Sequence, residues 1–352
     1  MAALSPRDAR LALALGGDAA PFPGTGPVAV FRPVPADRLD GVEPGRLCIY
    51  TGFKPDHDAF AARGLTVARA PEGGARHAAA LVCLPRARAF AQGLIAAACA
   101  VTDGPVLVDG QKTDGVDALL RACRARMEVG EAISKAHGKL FALDGPAGAT
   151  ALADWRLAPQ RIAGGYTTAP GVFSADGPDP GSVALASVLP AVMPGMVADL
   201  GAGWGWLAAQ VLAREGVREI HLIEAEADAL DCARMNLSDP RAHFHWADAT
   251  AFRAPVPFDA IVCNPPFHAG RSADPALGRA FVAAAAGLLA PSGTLWLVAN
   301  RHLAYEEALA AAFNRVARLD DTGGSYKLFR ADQPRRQPSR GARLSPHQGR
   351  RR

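Results

Sequence analysis

From about residue 190 onward, short apolar runs alternate with helical stretches, and this alternation limits the chain to very few folds. "MVADLGAG" reads as a strand ending in a glycine turn, "WGWLAAQVLAREG" as a helix, and "EIHLIEAE" as the next strand. "ADALDCARMNLS" follows as a helix, "AHFHWADA" and "FDAIVCNPP" as strands, "RAFVAAAAGLLAPSG" as a helix and "TLWLVANR" as a fifth strand. Strands alternating with helices of this size predict an α/β fold with a parallel, doubly wound sheet. Ligands of such sheets sit at the carboxyl ends of the strands.

The first half alternates too, through "GPVAVFRP", "GRLCIYTG", "GLTVARA", "AALVCLP", "AFAQGLIAAACA" and "PVLVDG". Four of its blocks recur in order in the second half. "LVCLP" matches "IVCNP", "RAFAQGLIAAACA" matches "RAFVAAAAGLLA", "PVLVDG" matches "TLWLVAN", and "KLFAL" matches "KLFRA". An internal duplication is expected, with 1–165 and 166–332 as the two units. The first unit has no glycine turn after a strand, and Leu84 is expected where the second has Asn264.

At 352 residues and 49% apolar content the chain can bury two cores. Six scattered cysteines without a CxxC pair fit a reduced cytoplasm and speak against a zinc site. No apolar run spans a membrane, and "MAALSPRDARLALALGGDAA" reads as a start helix, not a signal peptide. The net charge of +4 belongs to the end of the chain: removing the seven arginines after Asp332 leaves −3. That segment, 333–352, is expected to be a disordered basic tail and a candidate RNA contact.

"VADLGAGWGW" sets Gly201, Gly203 and Gly205 between a strand and a helix, where ligand atoms approach the backbone closely. A dinucleotide fingerprint needs its third glycine where this chain has Trp206. The spacing, preceded by Asp199, leans instead to an S-adenosyl-L-methionine (SAM) loop. Glu224, at the end of the next strand, can accept both ribose hydroxyls, with Glu226 as a near and solvated alternative. Asp248 can accept an adenine amine or cap the turn after it.

"NPPF" closes the set. Two prolines stop the strand and stiffen the backbone that presents the Asn264 side chain and the Pro265 carbonyl. Two such acceptors can hold both N–H bonds of an exocyclic amine and aim its lone pair at an incoming methyl group. Phe267 offers a face on which a base can stack. His268 has no second ligand at metal spacing and reads as loop packing or a substrate contact, so no metal is expected.

"DLGAGWG", Glu224, "NPPFH" and "VANRHLAYEE" together resemble the RsmC-type ribosomal RNA guanine-N2 methyltransferases, and "GVFSADGPDPGS" resembles the segment preceding the SAM loop in that family. His302 and Ala304 stand where that family carries an aromatic residue and a proline. The resemblance implies two tandem Rossmann-like class I methyltransferase domains, the N-terminal one degenerate and serving substrate recognition. It implies SAM as cofactor, bound through Asp199, Gly201, Gly203, Gly205, Glu224 and Asp248. Asn264, Pro265 and Phe267 would be catalytic, with Phe173, His268 and Arg301 as further substrate contacts. A cytoplasmic monomer acting on ribosomal RNA or a ribosomal subunit is expected, most readily the small one. The rival readings are an amino-methyltransferase acting on large-subunit RNA, DNA or a protein glutamine, and a non-catalytic RNA-binding or assembly factor.

Overall fold

The structure, a computed structural model, describes residues 4–16, 22–266, 268–269, 272–273, 275–319 and 324–335. The first unit runs α1 (Pro6–Leu15), β1 (Val28–Phe31), β2 (Leu47–Tyr50), α2 (Lys54–Ala62), β3 (Thr66–Ala68) and β4 (Ala79–Cys83). It continues with α3 (Arg88–Ala100), β5 (Pro105–Gln111), α4 (Val116–Arg124), β6 (Ile133–Lys135), β7 (Gly138–Asp144) and α5 (Gly145–Ala151). Its sheet has the order β3-β2-β1-β4-β5-β7-β6, parallel as far as β5.

A small hairpin, β8 (Gln160–Arg161) and β9 (Thr167–Thr168), leads into the second unit. There follow α6 (Pro180–Val188), β10 (Met196–Leu200), α7 (Trp206–Leu212), β11 (Glu219–Glu224), α8 (Ala227–Asn236), β12 (Ala242–Trp246) and β13 (Phe258–Cys263). Next come the two-residue strands β14 (His268–Ala269) and β15 (Ser272–Ala273), then α9 (Pro275–Leu288) and β16 (Leu289–Asn300). The last elements are α10 (Glu306–Ala312), β17 (Phe313–Arg318) and β18 (Tyr326–Pro334). The order β12-β11-β10-β13-β16-β18-β17 repeats that of the first sheet, strand for strand. Apolar clusters cover both faces of each sheet, which is why the central strands read as continuous apolar runs.

Register identifies the corresponding residues. Phe31 pairs with Tyr50 and Val82, while Leu200 pairs with Ile223 and Cys263. Phe31 and Val82 pack on the α3 face of their sheet, and Leu200 and Cys263 on the α9 face of theirs. The "LVCLP" match is therefore one residue out of step, since a one-residue slip turns every strand side chain to the other face. Cys83, not Leu84, occupies the place of Asn264, and it is buried in the core. "KLFAL" and "KLFRA" do correspond residue for residue: Phe141 pairs with Val108, and Phe329 with Leu297. In the same register Arg32 stands for Gly201, and both keep a left-handed backbone, with φ of 55° and 77°. The first unit thus retains the turn but fills it with a guanidinium.

The units meet through equivalent corners. Lys54 N donates to Ala225 O and Ala227 N to Gly52 O, each at 2.9 Å, on either side of a bridge between Phe53 and Glu226. Arg32 donates to both Glu226 oxygens, at 3.0 and 2.8 Å. Glu226 is therefore an interdomain ion-pair partner and not the solvated residue expected. The Trp246 indole donates to Gly52 O and Ala225 O across the same seam.

Two expected boundaries shift. The 165/166 division falls inside the β8–β9 hairpin, whose Ile162 and Tyr166 pack with Trp204, so that hairpin belongs to the second unit. β18 continues to Pro334, and Arg335 N donates to Ala312 O, so the sheet extends past Asp332. The rest of the arginine tail, 336–352, lies outside the described residues.

Candidate active site

β10 lies between β11 and β13, so chain connections leave it in opposite directions and open a crevice beyond its carboxyl end. A cleft occupies that place. Phe173, Asp179, Ser182, Asp199, Gly203 and Asn264 are among its lining residues. Gly201 and Gly203 line its floor, and Gly205 starts the helix behind it. Gly201, Gly203 and Gly205 all have left-handed φ, at 77°, 55° and 87°, which L side chains adopt only with strain. A Cβ on Gly203 would meet nothing within 4 Å, so its open side is free for a ligand. Gly205 caps α7 and packs closely on Ala233, a structural duty in place of a lining one.

Asp199, on β10, is almost fully buried, and its Oδ2 has no hydrogen-bond partner. Burial, followed by the nearby charge of Glu224, pushes its carboxyl up to about 8. A cationic ligand group in the cleft would satisfy that oxygen and restore the charged form. Glu224 receives Gly203 N–H at 2.8 Å on Oε2 and Glu226 N–H at 2.7 Å on Oε1. Burial raises its carboxyl and these donors oppose the rise. Glu224 thereby ties the glycine loop to the domain seam, and its carboxylate keeps acceptor capacity beyond these backbone donors for a hydroxyl.

Asn264 follows β13 directly. Its Nδ2 donates to Asp179 Oδ2 at 2.8 Å and to Ser182 Oγ at 2.9 Å. Its Oδ1 is buried without a partner. Asp179 is also the N-cap of α6, accepting Ser182 N at 2.9 Å. With both amide hydrogens anchored on the α6 cap, the amide cannot turn over without losing them. The oxygen is the end left for a ligand, and an unpaired buried acceptor of this kind costs about 1–3 kcal/mol until one arrives.

Of the other candidates, Phe173 is 61% exposed and stands at the mouth of the cleft. Asp248 Oδ1 accepts from Thr250 N and Oγ1, which caps its own turn, and neither Asp248 nor Glu224 is among the cleft-lining residues. Arg301 sits past the end of β16 with its Nε donating to Gly324 O, also away from the cleft lining. Pro265 is buried and is not among the cleft-lining residues. Phe267 and the His268 side chain lie outside the described residues. Asp179, Ser182 and Trp204 were missed as site residues. The Trp204 indole donates to Phe173 O and Ser174 O and so fixes the segment that carries Phe173. "GVFSADGPDPGS" carried the signal without showing which atoms it would meet.

The fold and this cleft are those of a class I methyltransferase domain preceded by a degenerate copy of itself. Residues 164–330 match the family model "Methyltransferase small domain". The ribosomal RNA small subunit methyltransferase C of Shewanella sp. (strain MR-4) is 32% identical over 260 residues, covering 71% of this chain and 75% of the relative. That of Shewanella baltica (strain OS195) is 31% identical over 260 residues, covering 71% and 74%. The solved T. thermophilus 16S rRNA N2 G1207 methyltransferase, in complex with AdoMet and guanosine, superposes with a TM-score of 0.72 at 26% identity. It covers 88% of this chain and 89% of its own. The chain belongs to the ribosomal RNA small subunit methyltransferase C family.

Proposed function

We propose that this chain transfers a methyl group from SAM to the exocyclic N2 of a guanine in 16S ribosomal RNA. The observation that carries the reading is the buried, partnerless Oδ1 of Asn264, the amide end left over when its Nδ2 is held by Asp179 and Ser182. An exocyclic amine has two N–H donors and a lone pair delocalised into its ring. Asn264 Oδ1 accepts one N–H and the Pro265 carbonyl the other, which turns the lone pair toward the methyl donor. Phe267 is the candidate stacking face for a base drawn out of its helix.

The residues present fit the cofactor. Asp199 Oδ2 is the acceptor for the methionine ammonium, the open side of Gly203 admits the chain beside it, and Glu224 is the ribose acceptor. SAM supplies an electrophilic methyl group on sulfur. As N2 gains its bond to carbon, the bond to sulfur breaks, and the extra proton on N2 passes to water. A substituted aryl-ammonium is acidic enough that no side-chain base is required.

Among the described residues no helix is long and apolar enough to cross a membrane. We assign the first unit to RNA recognition, since its counterparts of the glycine turn and of Asn264 are Arg32 and buried Cys83. Mass-spectrometric mapping of ribosomal RNA from a deletion strain tests the assignment. Loss of one N2-methylguanosine from 16S RNA is expected, whereas an intact 16S pattern would overturn it.

A further inference from the structure

β12 is the edge strand of the second sheet, and its parallel pairing with β11 brings four ligand-type side chains onto one face, away from the cleft. Glu219 and His221 alternate along β11, and His243 and His245 along β12, with His221 directly opposite His243. His221 Nε2 lies 3.3 Å from Glu219 Oε2, and His243 Nε2 lies 3.9 Å from the same oxygen. The three donor atoms fall within 4.8 Å of one another. Zinc held at about 2.1 Å by tetrahedral ligands separates neighbouring donor atoms by about 3.4 Å. Small side-chain adjustments therefore bring this trio into range.

The surroundings favour an ion over a plain surface cluster. His221 Nδ1 lies 3.0 Å from His245 Nε2, with the two rings stacked at an interplanar angle of 5°. A partner on the second ring nitrogen is the usual device for fixing the orientation of a metal-ligating histidine. Phe258 packs edge-on against His221, and Phe252 leans on His245, so the rings have an apolar wall behind them. One carboxylate facing two imidazoles also suits a divalent cation in charge and in donor type.

We propose that Glu219, His221 and His243 form a divalent transition-metal site, best suited to Zn²⁺, with His245 orienting the His221 ring. The ion takes no part in methyl transfer. It clamps the edge strand β12 to β11, whose far ends carry Trp246 at the domain seam and Glu224 at the glycine loop. Such a site escapes a search by chain spacing, because His243 joins Glu219 and His221 only through strand register.

The test is calorimetric titration of Zn²⁺ into the chelator-treated full-length chain, free of any polyhistidine tag. Visible absorption of added Co²⁺ reports the coordination. One ion per chain with micromolar or tighter affinity is expected, with a Co²⁺ spectrum lacking thiolate charge transfer. Glu219→Gln and His243→Asn, both at half-exposed positions, should each weaken binding about tenfold or more while leaving SAM affinity unchanged. Absence of binding below millimolar Zn²⁺ would overturn the proposal, as would undiminished binding in both variants.

Discussion

Asn264 Nδ2 donates to Asp179 Oδ2 at 2.8 Å, and this contact decides which end of the amide faces the cleft. The same carboxylate oxygen caps α6, so the orientation of Asn264 is built into the start of a helix eighty-five residues upstream. Asp179→Ala should leave SAM affinity near that of the parent and lower kcat by about ten- to a hundredfold, because the amide becomes free to flip. Single-turnover rates at saturating SAM check this, with circular dichroism to confirm that α6 persists. A kcat unchanged in a folded variant would remove the positioning role.

Asn264→Ala removes the amine acceptor itself. By analogy with loss of one oxyanion-hole donor, the barrier should rise by about 3 kcal/mol. Calorimetry should still find SAM bound, since Asn264 is bonded to Asp179 and Ser182 and its free oxygen serves the amine, not the cofactor. Retention of more than a tenth of the parent rate would place the amine elsewhere.

Asp199 predicts a pH dependence with a definite sign. Its carboxyl is pushed up to about 8, against an ordinary value of 3.8. Between those limits the folded chain binds a proton that the unfolded chain has lost, so this group's contribution to stability falls as pH rises. A bound ammonium favours the ionised form. SAM affinity should therefore rise with pH from about 6 to 8, by up to about tenfold per unit, and then level off. Asp199→Asn should bind weakly and without that slope. A flat profile in the parent would contradict the assignment of Asp199 to the ammonium.

The seam between the units reaches the cofactor loop through Glu226, whose N–H holds Glu224 while its carboxylate is held by Arg32. Arg32→Met leaves the Glu226 carboxylate without its cation two residues from Glu224. The variant should bind SAM several-fold more weakly and melt a few degrees lower, in keeping with loss of one partner of a half-buried bidentate pair. Differential scanning fluorimetry with and without SAM reads both effects. Unchanged values would make the pair a surface ornament.

Much of this was legible in the chain. Alternating strands and helices gave both sheets, and the three glycines of "GAGWG" were legible because a left-handed backbone leaves little choice of residue. Asn264 stood out because two prolines after a strand serve no sheet. What escaped depended on partners distant in sequence. Nothing near Asp179 or Ser182 announces Asn264, and nothing near Glu226 announces Arg32. The repeat was visible, but its register was not: "LVCLP" matched "IVCNP" by composition while the ladders put Val82, not Cys83, at the place of Cys263.

The most direct measurement is nucleoside mass spectrometry of 16S ribosomal RNA, naked and in small subunits, after incubation with the purified chain and methyl-labelled SAM. The label should appear in N2-methylguanosine alone, at one site per RNA, and should vanish with Asn264→Ala. Label on a ring nitrogen, on a ribose oxygen or on an adenine would contradict the amine-orienting role of Asn264, and so would N2-methylguanosine formed undiminished by that variant.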